Sequence, residues 1–170
     1  MAETLPNFTE PRWFACHTKP RCEKKFSALL GVEKFTHYLP LVPSVRRYRD
    51  QTKRFTKPLF PSYVFAEIPP ETKSRVYQQD LLVRAIWIEN QTGFLRQLDD
   101  VRTVVASGLE LSLHPLLKKG TRVKVTGGPL YGIEGIVDDP ANPKGVIIAV
   151  DVLQQGLLVR MQLEHLQILP

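Results

Sequence analysis

The chain has 170 residues, 43% of them hydrophobic and 24% charged, with a net charge of +6. That length can bury a real core in one medium domain, or in one medium and one small domain. No stretch approaches the ~20 consecutive apolar residues that span a bilayer, and the opening "MAETLPNFTEPR" carries acids where a signal peptide needs basic residues and an apolar run. A cytoplasmic protein with no membrane partner is expected. The two cysteines, Cys16 and Cys22, are few and close, which suits a reducing compartment rather than a disulfide framework.

In chain order, "RWFACHTK" favours a strand and leads into "PRCEKKFSALLG", which reads as a helix with Pro20 in its first turn, Cys22, Phe26, Leu29 and Leu30 at helical spacing, and Gly31 as its stop. "FTHYLPLVPSVRRYRD" is extended, because Pro40 and Pro43 exclude a long helix, and "KRFTKPLFPSYVFAEI" is its returning partner. "PPETKSRVYQQ" opens with a helix-start signal and "VRAIWIE" alternates as a strand. "LRQLDDVRTVVASG" then supplies a helix with Leu95, Leu98, Val101, Val104 and Val105 on one side and Gly108 at its end. The order β-α-β-β-α-β-α describes an α+β sandwich.

The pattern changes around "LELSLHPLLKK", and the residues beyond it are strand-like with glycine punctuation. The expected division is a first domain over residues 11–108, a linker at 109–117 and a second domain over 118–170. "TRVKV" and "IEGIV" alternate, "GVIIAVDVL" and "LLVRMQL" flank "QQG" as a hairpin, and "LQIL" closes the sheet. So short a second half can only be a small β-barrel. Val146, Ile147, Ile148, Val150 and Val152, with frequent glycines, argue that it stays β rather than refolding to helix.

The charge is clustered. "KPRCEKK" holds Lys19, Arg21, Lys24 and Lys25, and "VRRYRDQTKRFTK" adds Arg46, Arg47, Arg49, Lys53, Arg54 and Lys57 against the single acid Asp50. Such clusters suit a polyanion, since each neutralised phosphate releases condensed counterions; a solvated hairpin tip that serves only solubility is the plain alternative.

Chemistry of other kinds finds little support. The histidines His17, His37, His114 and His165 are scattered, and no nucleophile elbow, phosphate-binding glycine loop or pair of metal-ligand cysteine motifs occurs. Cys16, His17 and Cys22 make a soft-ligand group too small for the four ligands of a structural zinc site. Asp99 with Asp100 fall in an expected helix and Asp138 with Asp139 in an expected turn, both read as solvated surface. No catalytic residue, cofactor or metal is expected.

Two stretches carry a resemblance. "VKVTGGPLYGIEGIV" sets Gly127, Gly128, Pro129, Gly132 and Gly135 between two alternating strands and closely resembles a KOW motif, the mark of a small SH3-like barrel. "HTKPRCEKK" and "PLFPSYVF", in the expected order before it, resemble the amino-terminal (NGN) domain of the NusG family of transcription elongation factors, and most of all the specialised paralogues of the UpxY and RfaH kind. The resemblance runs from about Trp13 to Ile168. Ser62 departs from it, standing where housekeeping members commonly have glycine, which suits a paralogue.

The resemblance implies a non-enzymatic factor, a monomer, that grips the RNA polymerase clamp region and spans the DNA cleft, suppressing pausing or termination. The apolar positions that match a docking depression are Phe14, Phe60, Pro61, Tyr63, Phe65 and Ile86, with Phe60, Tyr63 and Phe65 as the favoured set. A few exposed aromatics in a desolvated pocket can dominate an interface, each costing about 2 kcal/mol or more when truncated. Strand alternation leaves ordinary core as the alternative for Phe14 and Phe65. His17, Lys19, Arg21 and Lys25 match a surface facing non-template or upstream DNA, where the cations would meet phosphates and His17 a splayed base. Arg46, Arg47 and Arg49 would meet upstream DNA or the polymerase itself. The KOW domain would recruit a small-subunit ribosomal protein or Rho. The rival class is a ribosome-associated RNA-binding module without polymerase contact.

Overall fold

The computed structural model describes residues 6–72, 76, 80–116, 120–137, 145–161 and 163–170. The chain divides into two compact units, Met1–Gln91 and Thr92–Pro170. Among the described residues it is α+β with antiparallel sheets, as the sequence implies.

In the first unit, β1 (Arg12–Thr18), β2 (His37–Tyr38), β5 (Tyr63–Ile68) and β6 (Leu82–Trp87) form a sheet in the order β2-β5-β1-β6. Alternation along β1 sends Phe14 and Cys16 to one face, where Val64, Ala66, Ile68 and Ala85 join them against Phe26 and Leu30 of helix α1 (Glu23–Val32). Phe8 and Trp87 extend this core, Phe8 through a tilted contact with Phe14 at 5.5 Å and Trp87 through an edge-on one at 5.8 Å. β3 (Leu41–Arg47) and β4 (Thr52–Pro58) form a hairpin that is a sheet of its own, closed by the Tyr48 N–H donating to the Gln51 carbonyl at 2.8 Å.

Details of α1 differ from expectation. Pro20 lies before the helix, in a turn closed by the Cys22 N–H donating to the Lys19 carbonyl, with Arg21 at φ 63°. Gly31 is inside the helix. The stop comes at Lys34, whose φ of 62° lets the Phe35 N–H reach back to the Leu30 carbonyl. Leu29 is 37% exposed, at the edge of the stripe that Phe26 and Leu30 bury.

Most of the helix read from "PPETKSRVYQQ" lies outside the described residues; within them stand a short 3-10 turn, Pro70–Thr72, and a buried Val76. The turn read at Asp138 and Asp139 also lies outside them.

The second unit takes up helix α2 (Gln91–Ala106) from Thr92 onward, together with a six-stranded sheet. The sheet is built from β7 (Leu111–Pro115), β8 (Thr121–Val125), β9 (Glu134–Val137), β10 (Val146–Val150), β11 (Gln155–Val159) and β12 (Leu166–Ile168), in the order β12-β8-β9-β10-β11-β7. The last five are the strands expected of an SH3-like KOW fold. β7 adds a sixth from within the segment read as linker, pairing with β11 from Leu111↔Val159 to Pro115↔Gln155. α2 buries Phe94, Leu98, Val101 and Val104; Phe94 begins the stripe, and Leu95 is 39% exposed. Gln97 fixes the helix by donating to Asp151 Oδ2 at 2.6 Å and accepting from the Asp151 N–H at 3.0 Å.

The β10–β11 reversal falls at residues 151–154, so that only the first residue of "QQG", Gln154 at a left-handed φ of 51°, lies in the turn. Gly156 is inside β11, paired with Ala149. It is there for closeness: a Cβ would meet Ile147 Cγ2 at 2.7 Å.

Candidate polymerase and nucleic-acid surface

The face of the first sheet opposite the α1 core is assembled by register. Phe65 and Ile86 flank Ala15, and Tyr63 and Arg84 flank His17 in the next row. Tyr63, Phe65, Ile86 and His17 therefore share one face, although the family resemblance assigns them to separate protein-facing and DNA-facing groups. Arg84 joins this row without having been singled out; the alternation of "VRAIW" was the signal for it.

Burial separates the members. Phe65 and Phe60 are fully buried, packed edge to face at 6.1 Å, whereas Tyr63, Ile86 and His17 are half-buried and Pro61 is exposed. The favoured exposed trio Phe60, Tyr63 and Phe65 is thus reduced to Tyr63, with the two phenylalanines beneath the surface. Phe14 faces the other way and is core, as alternation across β1 requires. The rings of His17 and Tyr63 stack at 5.0 Å, so one face of the imidazole is already occupied.

The turn that carries Tyr63 is held by the Tyr63 N–H donating to the Phe60 carbonyl at 3.1 Å, and by Thr18, whose N–H donates to the Ser62 carbonyl at 2.8 Å. Ser62 itself sits at φ 70°, in the left-handed region that favours glycine. At the far end of β1, the Gln91 side chain accepts from the Trp13 N–H and donates to the Trp13 and Ile88 carbonyls at 2.8 to 2.9 Å.

The basic positions all reach solvent. Lys19, Arg21 and Lys25 are exposed around the start of α1, and Arg46, Arg47 and Arg49 are exposed on the hairpin with Lys53, Arg54 and Lys57. Lys24, from the same cluster, has a structural role instead: it donates to the Thr56 carbonyl at 2.6 Å and ties α1 to the hairpin stem. Cys16 is buried and its thiol is pushed up to about 12 by desolvation, so it is no nucleophile at neutral pH. Among the described residues no group of three or more potential ligands could hold a metal ion, and no helix is long and apolar enough to cross a membrane.

The glycine motif forms the β8–β9 corner. Gly132, at φ 87°, donates its N–H to the Val125 carbonyl at 2.8 Å and so closes the turn that holds Leu130 buried and Tyr131 exposed. Pro129 is exposed, Gly127 lies against His165, and Gly135 lies against Val146 in the β9–β10 ladder. Gly128 takes a left-handed φ of 78° beside them.

The model of the family described as "Transcription termination factor nusG" matches residues 11–115, which is more than half of the chain. The chain belongs to the NusG family. Members of this family are transcription factors rather than enzymes, and a general role in transcription elongation follows for this NusG-family chain. Among solved structures it is similar to one described as "Domain interaction in Thermotoga maritima NusG", at 15% identity and a TM-score of 0.48, covering 95% of this chain and 98% of that one. It is also similar to the "MjSpt4:Spt5 complex" in conformation B, at 14% identity and a TM-score of 0.32, covering 92% and 96%. No curated protein matches it.

Proposed function

We propose that this NusG-family chain is a specialised antitermination factor of the UpxY and RfaH kind that binds RNA polymerase and suppresses pausing or termination on particular operons. The observation that carries the proposal is the sheet face on which Tyr63, His17 and Ile86 stand half-exposed over a buried floor of Phe60 and Phe65, with Pro61 at its rim. Aromatic and aliphatic groups on a rigid sheet, backed by close-packed rings, suit the apolar tip of a helical partner such as the polymerase clamp. A domain that bridges the two sides of the cleft makes clamp opening cost those contacts, so paused and open states become less populated.

Lys19, Arg21 and Lys25 beside this face, with Arg46, Arg47 and Arg49 on the hairpin, supply phosphate contacts to non-template or upstream DNA. The functional division is 11–108 and 118–170 with a linker at 109–117; the family match, which begins at residue 11, supports the start of the first domain. The KOW domain recruits a small-subunit ribosomal protein or Rho.

The test is co-purification with RNA polymerase elongation complexes, comparing wild type with a Tyr63→Ala, Ile86→Thr variant. Phe60 and Phe65 are left intact, because truncating a buried phenylalanine costs about 3–5 kcal/mol and would confound folding with docking. Retention of the wild type and loss of the folded variant is the expected result. Failure of the wild type to bind, with RNA retained, would instead favour a ribosome-associated RNA-binding module.

A further inference from the structure

The β3–β4 ribbon has little burial to fix its direction. It is a two-stranded sheet apart from the main one, β4 is exposed from Thr52 to Lys57, and a two-stranded ribbon is marginal on its own. Its ladder shows which backbone groups are left over. The Tyr48 N–H donates to the Gln51 carbonyl at the tip and the Leu59 N–H to the Pro40 carbonyl at the base. Antiparallel pairs alternate, so Val42↔Lys57, Ser44↔Phe55 and Arg46↔Lys53 exchange hydrogen bonds while Pro43↔Thr56 does not. Pro43 and Thr56 therefore turn their backbone groups outward, on opposite edges of the ribbon. Proline has no N–H to offer on its edge, whereas the Thr56 carbonyl on the other edge needs a donor.

Lys24 supplies it. From the second residue of α1 its Nζ donates to the Thr56 carbonyl at 2.6 Å, a charge-assisted bond that joins the helix to the ribbon stem. The position is otherwise a poor one for a cation, since it lies at the positive end of the helix with Lys25 next in the chain. The tie acts on a lever. From Thr56 to Thr52 the strand runs about 13 Å, so any freedom at the stem is magnified at the tip, where Arg46, Arg47 and Arg49 stand.

We propose that Lys24 is a positioning residue: it locks the ribbon to α1 and so holds the hairpin cations and those at the start of α1 in one fixed array, without itself meeting phosphate. What the array serves rests on the proposed DNA-facing role, whereas the lock does not.

The experiment has two arms, each with wild type, Lys24→Met and Lys24→Arg of the full chain, in which Met keeps the aliphatic stem and Arg keeps a donor. In the first, amide order parameters of Lys53, Arg54 and Phe55 are measured by NMR relaxation with no ligand present. Wild type and Lys24→Arg should match the β1 and β5 amides at about 0.85, and Lys24→Met should fall below about 0.6. In the second, fluorescence anisotropy follows binding of a labelled DNA duplex over a salt series. Lys24→Met should weaken binding about fivefold, because the ribbon must then be ordered on binding, with little change in the slope of log affinity against log salt. Lys25→Ala, which removes a proposed phosphate contact, should lower that slope by about 0.9. Unchanged order parameters in Lys24→Met would overturn the proposal, as would a loss of slope equal to that of Lys25→Ala. Failure of the wild type to bind duplex would sink the DNA-facing role and leave the lock to be decided by the order parameters.

Discussion

His17 and Tyr63 face each other across the β1–β5 ladder, and their rings stack with centroids 5.0 Å apart and planes 20° from parallel. Cross-strand aromatic pairs of this geometry contribute about 0.5–1.5 kcal/mol beyond the area they bury. A double-mutant cycle of His17→Ala and Tyr63→Ala, followed by urea denaturation, should return a coupling energy in that range. Additive single effects would show that the rings are neighbours without being partners.

Ser62 holds a left-handed backbone at φ 70° in the turn that presents Tyr63. A side chain there costs roughly 1 kcal/mol or more, partly offset by the greater unfolded-state entropy of glycine. Ser62→Gly should therefore raise the urea midpoint, by the equivalent of about 0.5–1 kcal/mol, with the m-value unchanged.

Burial in α2 pushes the Asp100 carboxyl above its usual range, helped by the negative charges of Asp99 and of Glu134 on β9. Arg102 pairs with Asp99 at 3.2 Å and Arg122 with Glu134 at 3.5 Å, so the neighbouring acids are partly offset. A carboxyl whose folded-state pKa is raised holds its proton longer in the fold than in the unfolded chain. Between those two values stability falls as pH rises. Asp100→Asn should remove that component. The difference in unfolding free energy between variant and wild type should favour the variant at neutral pH, by less than about 1 kcal/mol because the site is partly solvated, and should shrink as pH falls.

Cys16 is fully buried with its thiol pushed up to about 12, whereas Cys22 is half-buried at the start of α1. Iodoacetamide at pH 8 should modify Cys22 in the folded protein and both thiols in urea, counted by mass spectrometry. Modification of Cys16 under native conditions would mean that the β1 core opens readily.

Periodicity and punctuation determined much of this protein from the sequence alone. Alternation in "RWFACHT", "YVFAEI" and "VIIAV" sets strands whose apolar faces must be covered, and a 3.6-residue stripe sets α1 and α2, because burying apolar surface is the dominant favourable term in folding. "HTKPRCEKK", "PLFPSYVF" and the glycine corner at 127–135 carried the resemblance to the NusG family; in that corner, positive φ at Gly132 and close approach at Gly135 leave few other residue choices. Tertiary structure decided what local pattern leaves open. Alternation places Phe65 and Tyr63 on one face but cannot say that one is buried and the other half-exposed. Spacing could not reveal that β7 extends the second sheet from the expected linker, or that His17 stacks on Tyr63. These outcomes depend on contacts between residues distant in the chain, such as Leu111 with Val159 and His17 with Tyr63, which register and packing select and which no local window contains.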